Sequence, residues 1–169
     1  MVGWREKLHL TDPREARETA LRGLPDVIGD LTPVAVVRNT IEDTSGRTWA
    51  QVESEIVFRE EFRPALEGLD GFTHAIVVTW LEQVMDDGRA LLRIRPTGDD
   101  SSPEVGVFAT RTAHRPNPVG VSIVPMEGVH GGVVRVVGLD VVNGTAVLDI
   151  KPYITFFDSF DAGLPKWAE

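Results

Sequence analysis

Two arginines, a histidine and an asparagine lie between Arg111 and Asn117 in the stretch TRTAHRPNPVGVS, residues 110–122, and prolines flank Asn117 on both sides. Guanidinium, imidazole and carboxamide groups are rich in hydrogen-bond donors, so Arg111, His114, Arg115 and Asn117 suit an anionic or carboxylate-bearing ligand. The prolines forbid a helix interior and remove ladder donors, which makes the segment a stiff, extended loop. Gly120, just beyond it, lets a neighbouring backbone approach closely. A turn pinned to surface acids by arginine pairs would have the same composition. Stiffness tilts the reading toward orientation of a ligand, because a site must be immobilised to be useful.

A second concentration is GLDVVNGTAVLDIKPY, residues 138–153. Strand alternation puts Asp149, Lys151 and Tyr153 on one face and Ile150 on the other. One acid, one base and one phenol together have the composition of a site, and equally that of a solvated strand face. The NGT of 143–145 reads as a tight hairpin turn between VVGLDVV and AVLDI. In LDGFTHAIVVTWLEQ, residues 69–83, His74 enters an apolar strand, and Glu82 and Gln83 leave it. A lone histidine there reads as a hydrogen-bonded structural residue, and Phe72 and Trp80 read as core. The fourth place is VVRNTIEDTSGRTWAQVES, residues 36–54, where a polar loop carries Arg47, Trp49 and Gln51.

Several chemistries are excluded. The chain has no cysteine, which removes disulfides, thiolate metal sites and a thiol nucleophile. His9, His74, His114 and His130 show no metal-ligand spacing, so no metal is expected. There is no GxxxxGK[ST], no GxGxxG after a strand and no GxSxG, which leaves NTPases, Rossmann dehydrogenases and α/β hydrolases unsupported. A net charge of −9, from 17 basic and 26 acidic residues, argues against broad nonspecific nucleic-acid binding but not against a local basic pocket.

The elements that must position these residues are mostly strands. TDPREARETALRGLP, residues 11–25, carries a capping signal at Thr11 or Asp12, Pro13 in its first turn and a Gly23–Pro25 stop, which predicts one short amphipathic helix. From residue 32 the pattern becomes short β-rich runs at 32–39, 52–58, 73–80, 90–96, 104–111, 119–127, 132–140 and 145–153. Only EEFRPALEGL, residues 60–69, interrupts them as a helical turn. The fold class is therefore all-β with minor helices: a single small closed or partly closed β-barrel, with the N-terminal helix outside it, since closure removes strand edges. The expected organisation is a helical extension over 1–30, a barrel over 31–160 and a tail over 161–169. No window of 18 apolar residues and no secretory leader is apparent, which sets the expectation of a cytoplasmic protein away from membranes.

GVFATRTAHRPNPVGVS followed by LDVVNGTAVLDIKPY, with LDGFTHAIVV and PVAVVRN upstream, resembles the TrmO family of TsaA-like β-barrel methyltransferases, from about Thr32 to Tyr153. The resemblance implies a homodimer that uses S-adenosyl-L-methionine to methylate N6 of threonylcarbamoyl-adenosine at position 37 of certain tRNAs. It implies a cofactor pocket built from Gln83, Arg111, His114, Arg115, Asn117, Asn143, Gly144 and Thr145, with Asp149, Lys151 and Tyr153 as catalytic residues facing the same cavity. Departures from the family pattern are NGTA in the late turn, GRTWAQ in the early loop and Glu82 where a histidine is frequent. They leave room for a small-molecule methyl acceptor in place of tRNA, or for a noncatalytic cofactor-binding module.

Overall fold

A computed structural model of the protein describes residues 29–44, 48–81, 91–96 and 102–168. The helix expected over 11–25, together with Arg47, Glu82 and Gln83, lies outside the described residues. Residues 32–169 form one compact unit.

Valine and isoleucine, whose branched Cβ suits a pleated surface, dominate the strands. These are β1 (Ala35–Arg38), β2 (Glu53–Phe58), β3 (His74–Trp80), β4 (Arg93–Ile94), β5 (Val105–Gly106), β6 (Val119–His130), β7 (Val133–Val137) and β8 (Ala146–Pro152). Six of them close into an antiparallel barrel in the order β1-β2-β7-β6-β3-β8. Val37, Ile56, Val77, Val134, Val136 and Val147 point inward and are almost wholly buried. Each such side chain contributes roughly 1.5–3 kcal/mol by leaving water. Closure is made by β1 and β8, paired at Ala35–Val147 and Val36–Ala146. It is reinforced by Val34 N–H donating to the Val147 carbonyl at 2.8 Å and Val37 N–H to that of Thr145 at 2.9 Å.

Two of the eight expected strands do not join the barrel. β4 and β5 keep only two residues each and pair with one another as a separate ribbon. The run at 104–111 fails as a barrel strand because Val107–Ala109 turn into a 3-10 helix. Thr110 fixes that turn by donating its hydroxyl to the Val107 carbonyl at 2.8 Å. Residues 60–66 are likewise 3-10 helical, and a single α-helical turn, α1 (Thr155–Asp158), follows β8. Among the described residues no helix is long and apolar enough to cross a membrane.

The expected hairpin at NGT is also different. β7 ends just before Gly138, whose φ of +84° glycine alone adopts readily, and the strand pairs with β2 and β6 rather than with β8. Asn143 and Gly144 make their turn against β1 instead, with Asn143 N–H donating to Ile41 and Gly144 N–H to Val37. Local sequence carries the turn, but which strand receives it is decided by barrel closure.

Candidate active-site cleft

β6 pairs with β3 along its first half, from Val119 to Pro125, and with β7 along its second, from Met126 to His130. Beyond Gly138 the chain no longer follows β6, so residues 119–123 face residues 138–141 across a gap. This gap is a cleft of about 680 Å³, within the size range of small-molecule sites. Its walls are the β3–β6 ends, Trp49, and the loop 110–115.

Inside the barrel the interior changes character along β3 and β6. Ala75, Val77 and Val124 are buried apolar residues, whereas the next inward positions toward the cleft are Thr79, Ser122 and Gly120. On one side the stiff loop contributes cationic groups. Arg111 Nη2 donates to the Val121 carbonyl, tying the loop to the open edge of β6. Arg115 Nη1 donates to the carbonyls of Thr110 at 3.3 Å and Thr112 at 3.4 Å, folding the loop on itself. Across the gap stands Asp140, whose carboxylate accepts a hydrogen bond from the Ser122 hydroxyl. The cleft wall thus carries two arginines and one carboxylate together with valine, leucine, isoleucine and tryptophan.

The residues singled out from sequence separate into three groups. Arg111 and Arg115 line this cleft. His114 and Asn117 belong to the same loop but are not part of the cleft wall; the His114 main-chain carbonyl accepts from Leu91 N–H at 3.2 Å and that of Asn117 from Val119 N–H at 2.7 Å. Asn143 lies in a second depression with Arg38, Asn39 and Ser54, where its Oδ1 accepts from Asn39 N–H and its Nδ2 donates to Glu42, both at 3.3 Å. Thr145 is buried and donates its hydroxyl to the Val142 carbonyl at 2.8 Å, and Gly144 completes that turn.

Asp149, Lys151 and Tyr153 form the third group, on the outer face of β8. A β-bulge sets this orientation. Thr79 pairs with Val147 and Val78 with Asp149, so Leu148 is the extra residue. Without it Asp149 would share the inward face of Val147, two residues before it; with it Asp149 and Lys151 point outward while Ile150 packs on the core. The two form an ion pair with side chains 46% and 61% exposed. The Tyr153 ring lies tilted at 56° to that of His74, with centroids 6.3 Å apart, and His74 is itself held by Thr73. None of the three is part of the cleft wall.

Thr79, Ser122 and Asp140 were not found from sequence. The available signal was polar interruption of apolar runs: Ser122 in VGVSIV and Asp140 in VVRVVGLDVV.

The chain was compared with known proteins. The model of the tRNA-methyltransferase O N-terminal domain matches residues 43–159. A "Probable S-adenosyl-L-methionine-binding protein" of Methanothermobacter thermautotrophicus is 40% identical over 76% of this chain and 93% of its own length. The "tRNA (adenine(37)-N6)-methyltransferase" of Escherichia coli is 35% identical over 62% of this chain and 46% of its own. The chain spans 38% and 41% of the length of two other curated relatives. The crystal structure of TrmO from P. aeruginosa superposes with a TM-score of 0.69 at 27% identity, over 86% of this chain and 63% of that one. The six-stranded barrel and the matched segment, which includes the 110–122 loop and the whole of β3, β6, β7 and β8, agree: this chain belongs to the family of the tRNA-methyltransferase O N-terminal domain.

Proposed function

We propose that the protein binds S-adenosyl-L-methionine in the β3–β6 cleft and methylates N6 of threonylcarbamoyl-adenosine at position 37 of tRNA, acting in the cytoplasm. The observation that carries this reading is the cleft's charge arrangement. Guanidiniums of Arg111 and Arg115 suit a carboxylate, Asp140 suits a cationic sulfur or ammonium, and the apolar residues of the same wall suit a nucleoside. A donor that carries these three groups fits the residues present. When bound, it supplies a methyl group already activated on a sulfonium. What remains for the chain is alignment, and holding an acceptor nitrogen about 3 Å from the methyl provides much of the rate.

A carbamoyl-substituted amine is a weak nucleophile until its proton is shared, so a base belongs near it. Asp149, with Lys151 and Tyr153 beside it, fills that role from the outer face. It is not part of its own chain's cleft wall, and a second copy packed on this outer face would bring it to a cleft, which makes the reading one of a homodimer. The outer face supports it: Val121 and Ile123 are 45% and 52% exposed, and in register beside them on β3 lie Val78 and Ile76. An apolar patch two strands wide, continuous with the cleft rim, suits a second copy of the same sheet. Ile123→Asp is expected to convert a dimer to a monomer, read by light scattering on a sizing column. An unchanged mass would remove this face from the interface.

Incubation with methyl-labelled cofactor and either bulk tRNA or a small-molecule extract tests the acceptor. Label is expected in the tRNA, with association weakening steeply as salt rises. In the same assay Asp149→Asn should lower turnover by about 100-fold while leaving cofactor affinity within a few fold, the size of a general-base loss. Label in the small-molecule fraction alone would favour a metabolite acceptor, a reading consistent with the net charge of −9.

A further inference from the structure

Thr79 is 0% exposed, and its hydroxyl oxygen is buried with no hydrogen-bond partner. Buried hydroxyls are almost always paired, and an unpaired one asks for an explanation. The neighbourhood shows what pairing ordinarily looks like here. Thr145 and Thr110, at the same end of the barrel, give their hydroxyls to carbonyls three residues back, each at 2.8 Å. Buried Ser54 accepts from Asn39 Nδ2 at 3.1 Å. Among the described residues the unpartnered buried side-chain oxygen is the one on the cleft wall.

The geometry around it is specific. Thr79 is registered against Gly120, and a Cβ built on Gly120 would lie 2.5 Å from Thr79 Oγ1. The hydroxyl therefore points across the strand pair into the space that glycine leaves open. Leu81 Cδ1 and Cδ2 lie 3.0 and 3.2 Å from the same point, so the half-buried leucine covers the hydroxyl from water. Leu81 is a flexible cover, because a leucine side chain changes rotamer at modest cost. A ligand atom arriving over Gly120 displaces the leucine methyls and finds a hydroxyl with both donor and acceptor capacity unused.

We propose that Thr79 is a ligand-binding residue whose hydroxyl, unpaired within the protein, bonds an uncharged polar atom of the nucleoside part of the cofactor: a ring nitrogen or a sugar hydroxyl. Charge assigns the nucleoside. Arg111, Arg115 and Asp140 attract the charged amino-acid end, whereas Thr79 is neutral and flanked by Val119, Val121 and Leu81. This inference rests on the cofactor reading of the cleft, and its test separates the two.

Calorimetry on the full chain with S-adenosylhomocysteine and with adenosine, alongside thermal melting without ligand, reads it out. Thr79→Val removes the hydroxyl and keeps the branched shape. It is expected to weaken both compounds by the same factor, about 5- to 30-fold, and to raise the melting temperature of the ligand-free protein by about 2–6 °C, since an unpaired buried hydroxyl is lost. A merely structural threonine moves the melting temperature down and leaves affinity alone. Thr79→Ser, which retains the hydroxyl, should stay within about threefold of the parent in affinity, and it keeps the test readable if the valine variant does not fold. Parent-like affinity in Thr79→Val, a lowered melting temperature, or a weakened Thr79→Ser overturns the proposal while the cofactor reading stands. A parent protein that binds neither compound overturns both.

Discussion

Gly120→Ala is expected to abolish measurable cofactor binding, a loss of about 100-fold or more, and to lower the melting temperature by roughly 3–10 °C, corresponding to an overpacking cost of about 1–3 kcal/mol. The added methyl would stand 2.5 Å from Thr79 Oγ1, closer than real Cβ atoms approach another heavy atom. Leu81, the other close neighbour, can change rotamer at modest cost. Thr79 cannot retreat, because it is β-branched, wholly buried and paired on its other side with the equally buried Val147. Relief therefore comes from separating β3 and β6 at the cleft, which disrupts the wall that Thr79 and Gly120 form. Gly128 is the matched control in the same strand. A Cβ there would meet only His130 atoms at 3.4 and 3.6 Å, ordinary contact, so Gly128→Ala should bind normally. Calorimetry and melting on the two variants check this. Equal affinity in both would show that the floor of this cleft carries no ligand.

That glycine illustrates what the sequence revealed. GVS within VGVSIV could be recognised as the return from a stiff loop to a strand, and the rigid cationic loop with Arg111 and Arg115 was legible because proline and arginine have few other reasons to be so dense. All six barrel strands were legible too, since a two-residue period of branched apolar side chains survives any detail of pairing. What could not be read depends on which strands meet. The split of β6 between β3 and β7 creates the cleft, and it brings Ser122 to Asp140 across 18 residues of sequence. No local pattern encodes that meeting. The bulge at Leu148, which turns Asp149 outward, is likewise a property of the β3–β8 register. In β4 and β5, by contrast, the strand pattern was present and lost, because the 3-10 turn at 107–109 and its Thr110 bond overrode it.

Asp140→Asn is expected to lower the preference for a charged over an uncharged sulfur. The substitution keeps the shape and leaves a carbonyl oxygen to accept from Ser122, so the tie across the cleft survives and only charge is removed. In a cleft partly open to solvent, a carboxylate facing a cation within a few ångströms contributes enough that its loss lowers affinity for S-adenosyl-L-methionine by about 10- to 30-fold. S-adenosylhomocysteine has the same amino-acid and nucleoside parts but a neutral thioether, so it should lose about threefold or less by the same Coulomb argument. Titrating both compounds into the parent and the variant gives the ratio, and repeating the titration at high salt should shrink the parent's preference toward the variant's. Arg111 and Arg115 supply the internal comparison: on the proposed placement they take the carboxylate common to both compounds, so Arg115→Ala should weaken both by one factor. Equal losses for both compounds in Asp140→Asn would make Asp140 a brace for Ser122. That outcome would also place the reacting sulfur elsewhere in the cleft, because the carboxylate is the one anionic group on its wall among the described residues.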